Sequence, residues 1–203
     1  MIIAIPSAVG LAVLAAPISN LLFPGRDNTD LIKMTCYGSS AVVVYSLSTV
    51  TNAVLQGINR MKTPIRNAGI SLVLHTVILF VMLRYLHMGI YGVLYANILF
   101  ALFICILNAR AIARFKRYRQ EVKKTFLIPM VASAVMGAAA FGVYRAAYSI
   151  FGNLISTGIS VLVAVAVYFV LLILLKGVDA QELRSMPGGT RLSGLARKLH
   201  LMK

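Results

Sequence analysis

The chain has 203 residues, of which 60% are hydrophobic and only 12% charged, with a formal net charge of +15 and a mean hydropathy of +0.87. A soluble domain carries about 25% charged residues, so this much apolar sequence excludes one water-soluble core and points to a multi-span membrane protein. The positive charges fall between apolar runs rather than along one stripe. That pattern reads as membrane topology and contact with anionic lipid, with no nucleic-acid partner.

Six apolar runs have the length a helix needs to cross a bilayer: residues 2–23, 34–58, 67–83, 90–109, 126–146 and 155–175. They are apolar all round, which excludes the alternating segments of a transmembrane β-barrel. The first run has no basic leader or cleavage site and reads as a span, not a signal peptide. Pro6 fits a helix start, whereas Pro17 is expected to bend the outer end of the helix.

The second run carries Tyr45, Thr49, Asn52, Gln56 and Asn59 or Arg60 at spacings of three and four, which place them on one helical face. Two readings stand. The face lines a transport path or wet cavity, or it makes interhelical hydrogen bonds of about 0.6 kcal/mol each. A basic elbow follows, with Lys62 and Arg66 joining Arg60, and with Gly57 and Pro64 expected to shape the turn.

The third run places Asn67, Ser71 and His75 at i, i+4 and i+8. His75 either titrates and gates a path or is a hydrogen-bonded packing partner. Tyr91 and Tyr95 in the fourth run suit packing or the membrane interface. The fifth run repeats small residues (Ser133 and Gly137; Ala134, Ala138 and Gly142) that allow close helix approach. The sixth is a plain run of Val, Leu and Ala suited to face lipid.

Sixteen basic residues lie after the second span, after the fourth and in the tail, against four (Arg26, Lys33, Arg84 and Arg145) in the opposite connections. Positive residues stay inside, so both termini are expected in the cytoplasm. In the tail, Arg191, Arg197 and Lys198 flank leucines at helical spacing beyond Pro187, Gly188 and Gly189. The tail reads either as a basic amphipathic helix on the inner leaflet or as a frayed solvated segment.

The five acids (Asp27, Asp30, Glu121, Asp179 and Glu182) lie in connections or the tail. No carboxylate stands in mid-membrane to hold a metal or relay protons, and no catalytic motif is present. The two cysteines, Cys36 and Cys105, match no metal or redox spacing. The residues therefore call for no enzyme activity, cofactor or metal.

Three stretches, IPSAVGLAVLAAPISNLLFPG, LSTVTNAVLQGINRMKTPIRNAGI and DAQELRSMPGGTRLSGLARKLHLMK, together resemble bacterial polysaccharide-biosynthesis flippases of the stage V sporulation protein B-like branch. That branch belongs to the multidrug/oligosaccharidyl-lipid/polysaccharide flippase superfamily, with the lipid II flippases and the multidrug and toxin extrusion antiporters. The resemblance implies an all-α membrane protein whose six helices correspond to the last six of a fourteen-helix fold. It divides the chain into four helices of the C-terminal lobe over 1–111, a basic loop over 112–125, a final helix pair over 126–175 and a basic tail over 176–203.

The implied function is movement of a lipid-linked oligosaccharide across the bacterial cytoplasmic membrane by alternating access, with the final pair flanking a groove for the lipid tail. The implied partners are membrane lipids, the lipid-linked sugar, and an N-terminal lobe or other transporter half that this sequence lacks. The family's diphosphate-gripping residues come mainly from the helices not present, so none is carried over. Two alternatives remain: a cation-coupled multidrug antiporter of the same superfamily, and a membrane interaction subunit that transports nothing.

Overall fold

Prolines mark where the helices begin. In the computed structural model, which describes residues 1–115 and 123–175, Pro6, Pro17 and Pro64 are each the third residue of a helix: α1 (Ala4–Val13), α2 (Ala15–Leu22) and α4 (Lys62–Arg84). Pro129 is the second residue of α6 (Ile128–Leu174), which follows a short π-helical turn, Lys123–Leu127. In a first turn the missing N–H has no partner to lose. The remaining helices are α3 (Thr29–Gly57) and α5 (Gly89–Phe115). The described residues contain no strand.

The expected bend at Pro17 is present. In an unbroken helix its ring would collide with the Val13 carbonyl, so the chain turns at Leu14 and α2 is inclined 68° to α1. Helices α3, α4, α5 and α6 are long and apolar enough to cross a membrane, and the bent α1–α2 pair makes a fifth candidate. The helices overrun the apolar runs at several ends because polar first and last turns continue them. Asp30 lies in the first turn of α3 and Arg84 in the last turn of α4, each favourable to its end of the helix dipole.

Residues 126–146 and 155–175, expected as two helices, form the two arms of α6, which meet at a sharp break at Gly152 rather than across a loop. Gly152 has φ 71° and ψ −177°, a region open essentially to glycine alone. The helix folds back there. Ala132, Met136 and Ala140 share one buried cluster with Ala164, Tyr168 and Leu172. These six sit symmetrically about Gly152, Ala132 with Leu172, Met136 with Tyr168 and Ala140 with Ala164. No straight helix brings such residues together.

Helix α5 packs between α3 and α4, while α1 packs against α3 on one side and α6 on the other. The α1–α6 contact is close because Gly137 has no side chain. A Cβ there would lie 2.9 Å from Val9 Cγ1 and 3.2 Å from Val13 Cγ2, so the small-residue pattern of the fifth run serves packing. The basic tail and most of the 112–125 loop, with their amphipathic-helix reading, lie outside the described residues.

Candidate functional site

The polar stripe of the second run divides in two. Asn52 is half-buried and its Oδ1 accepts a hydrogen bond of 2.6 Å from Asn108 Nδ2. Tyr45, Thr49 and Gln56 are exposed. The Thr49 hydroxyl donates to the Tyr45 carbonyl at 3.0 Å, and the Tyr45 hydroxyl reaches the Asn97 carbonyl of α5 at 3.4 Å. Asn97 is itself exposed. The seam of α3 and α5 thus presents phenol, hydroxyl and amide groups outward. The outer faces of α4 and of the second arm of α6 present Leu72, Val73, Val77 and Leu162 instead.

Asn108, which composition and spacing did not single out, is the centre of the polar packing. It is fully buried. Its amide also donates to Thr51 Oγ1 at 3.3 Å, and its Oδ1 accepts from Asn67 Nδ2 at 2.9 Å. One side chain therefore ties α3, α4 and α5 together. A signal was available: Asn97 and Asn108 are the two amides in an otherwise apolar run, about three helical turns apart.

His75 Nδ1 lies 3.0 Å from the Ala96 carbonyl and its ring packs on Phe100 at 5.4 Å between centroids. That geometry is a packing contact between α4 and α5. Ser71, between Asn67 and His75, is buried with its hydroxyl unpartnered. Among the described residues no three His, Cys, Asp or Glu stand together in a way that could hold a metal ion.

The elbow is built differently from the expectation for Gly57 and Pro64. Gly57 is the last helical residue of α3, and Pro64 lies buried inside the first turn of α4. The reversal comes from Asn59, whose φ is 60°. Its N–H donates to the Gln56 carbonyl at 2.9 Å, and the Arg60 N–H donates to the Leu55 carbonyl at 2.9 Å. These two bonds make a Schellman cap with Asn59 at the left-handed position. Asparagine tolerates that region better than other side-chain-bearing residues. Asn59, Arg60, Lys62 and Arg66 are exposed around it.

At the opposite end, two asparagines hold α2. Asn28 is buried, and its amide reaches the Phe23 carbonyl at 2.9 Å, Asn20 Oδ1 at 3.1 Å and the Ser19 carbonyl at 3.4 Å. Asn153, next to the Gly152 break, donates to the Pro17 carbonyl at 3.0 Å and accepts from the Tyr144 hydroxyl at 2.9 Å. Beside Asn28, the Thr29 hydroxyl and N–H both donate to Asp27 and hold its carboxyl below the usual carboxylate range.

An apolar groove of about 550 Å³ runs between α1 and the second arm of α6. Pro6, Leu11, Ile18, Val161, Val165 and Phe169 line it, with Met136 also in its wall. Its one end is fixed by Tyr168, whose hydroxyl donates to the Ile2 carbonyl at 2.6 Å. Compared with protein-family models, with curated proteins and with solved structures, the chain matches none.

Proposed function

We propose that this chain is part of a bacterial cytoplasmic-membrane flippase that moves lipid-linked oligosaccharide by alternating access. The observation that carries the reading is the apolar groove flanked by the second arm of α6. The sequence resemblance assigns residues 126–175 to a helix pair beside a channel for a lipid tail. The folded-back α6 provides two antiparallel arms, and one of them forms a groove wall without a charged side chain among its lining residues. A polyprenyl chain needs such a wall.

In this reading each arm of α6 is a crossing. With the bent α1–α2 span and α3, α4 and α5 the chain crosses six times, with both termini inside. Tyr45, Thr49 and Gln56 supply polar contacts to the sugar-bearing head group, while Asn52 sits one layer behind them, held by Asn108. The Tyr45 face is half a wall, since polar groups exposed at mid-membrane depth are costly against lipid. A second group of helices completes it.

The test is photocrosslinking in vesicles with a polyprenyl-diphosphate-sugar that carries a diazirine on its isoprenoid chain. Label is expected at Leu11, Val161 and Val165, and unlabelled polyprenyl lipid should compete it away. Even, uncompeted labelling that includes Leu72, Val73 and Val77 on α4 would mean that the groove is ordinary lipid-facing surface and would overturn the reading.

A further inference from the structure

The α4–α5 hairpin carries a charged surface that transport leaves unused. Three contacts set its register. Asn67 Nδ2 donates to Asn108 Oδ1 at 2.9 Å, His75 Nδ1 meets the Ala96 carbonyl at 3.0 Å, and a Cβ on Gly92 would stand 3.2 Å from Met82 Cβ. Carried one turn past Asn67, the same antiparallel register sets Arg66 level with Arg110 and Lys62 level with Arg114. Within each helix the two cations are four residues apart and share a flank.

All four are exposed. The carboxylates among the described residues, Asp27 and Asp30, stand at the other end of the bundle. There the Tyr91 hydroxyl, near the start of α5, donates to Asp30 at 3.0 Å. Like charges four residues apart on one helix repel, and a bound anion offsets that repulsion.

The start of α4 and the N-cap residue before it expose large apolar side chains. Met61 is 62% and Ile65 74% exposed, and they form a stripe at i and i+4 beside the Lys62–Arg66 stripe. The preference for positive residues inside accounts for the number of cations. Met61 and Ile65 set lipid-compatible surface directly beside those cations. A soluble phosphate would use the cations and ignore Met61 and Ile65, whereas a lipid would use both.

We propose that this end of the α4–α5 hairpin binds an anionic phospholipid. Arg66 and Arg110 grip the phosphate, with Lys62 and Arg114 as further counter-charges, and Met61 and Ile65 pack on the acyl stems. Guanidinium groups suit this role because they donate in pairs to phosphate oxygens. The site is independent of what the protein transports.

The test is native mass spectrometry of the full chain released from detergent micelles, titrated with phosphatidylglycerol and with phosphatidylcholine. Binding measured this way does not depend on orientation in a membrane. Phosphatidylglycerol should bind well above phosphatidylcholine. One cation near a lipid surface is worth about a factor of five, so R66Q/R110Q should weaken phosphatidylglycerol binding roughly twenty-five-fold. M61N/I65N, with charge unchanged, should weaken it several-fold, and R26Q/K33Q at the far end should leave it unchanged. Equal affinity for the two lipids would overturn the proposal, as would an equal loss in R26Q/K33Q, which would mean net charge alone. Displacement of the lipid by millimolar inorganic pyrophosphate, with M61N/I65N binding as wild type, would identify a soluble-anion site and overturn it as well.

Discussion

Replacing Asn108 measures how α3, α4 and α5 are joined. Its side chain makes three interhelical hydrogen bonds, to Asn52, Thr51 and Asn67. Such contacts in membranes average about 0.6 kcal/mol, so Asn108→Ala should destabilise the chain by about 2 kcal/mol. Asn67→Ala and Asn52→Ala each remove one bond and should each cost about 0.6 kcal/mol. The Asn67/Asn108 double-mutant cycle should return a coupling of about the same size. Asn108→Asp keeps the shape but turns the donor toward Asn52 Oδ1 and Thr51 Oγ1 into an oxygen, so it should cost more than Asn108→Ala. The assay is unfolding in mixed micelles by a denaturing detergent, followed by circular dichroism. An Asn108→Ala loss within about 0.3 kcal/mol of zero, the scatter of such comparisons, would refute the claim that this side chain organises the three helices.

With Cys36 and Cys105 replaced by serine, single cysteines at Arg26 and Ser149 should react with an impermeant reagent from outside and those at Lys62 and Arg114 should not; labelling at Lys62 from outside would reverse the orientation. On the proposed flippase reading, cysteines at Thr49 and Gln56 should react with a small hydrophilic reagent once the proposed partner helices are present, while those at Thr51 and the fully buried Leu55 stay protected. Val54 is 40% exposed, so a cysteine there is accessible by geometry and should react with lipid-soluble reagents only. Asn59→Val should destabilise by about 1–2 kcal/mol through the left-handed backbone, and Asn59→Gly should be close to neutral by the same unfolding assay. In vesicles the 203-residue chain alone should insert without moving a fluorescent lipid-diphosphate-sugar; transfer above empty vesicles would show that these helices suffice.

The helices were legible because their apolar runs are long and uninterrupted, and Pro6 and Pro17 act where their missing N–H groups dictate. The direction each polar side chain takes was less legible. Asn52 and Gln56 are one turn apart on one face, yet Asn52 is held by Asn108 and Gln56 is exposed. Helical spacing gives the face, but the neighbour that covers it comes from the packing of α5. Gly152 was hidden for a similar reason. Residues 147–154 stood between two apolar runs, whereas one glycine with positive φ turns the chain and Asn153 bonds back to α2. Glycine and proline suggested the elbow at residues 57–64, but the left-handed position fell to Asn59, which periodicity treats as one more polar residue. The chemistry of the candidate site was legible only as a choice between cavity and packing; Asn52 is in packing, and Tyr45, Thr49 and Gln56 are exposed.

The two ends of α2 tie together parts of the bundle that otherwise meet mainly through α1. The α6 arms pack on α1 and α2, while α4 and α5 are reached through α3. Asn153, at the Gly152 break, holds the first turn of α2 through the Pro17 carbonyl. Asn28, at the start of α3, holds its last turn through the Phe23 carbonyl. Side chains from two different parts of the bundle thus fix the two ends of one short helix. The helix breaks at Leu14, where the Pro17 ring leaves the Val13 carbonyl without its helical partner. Leu14 therefore lies between the apolar groove on one side of α1 and the polar face of α3 beyond the other.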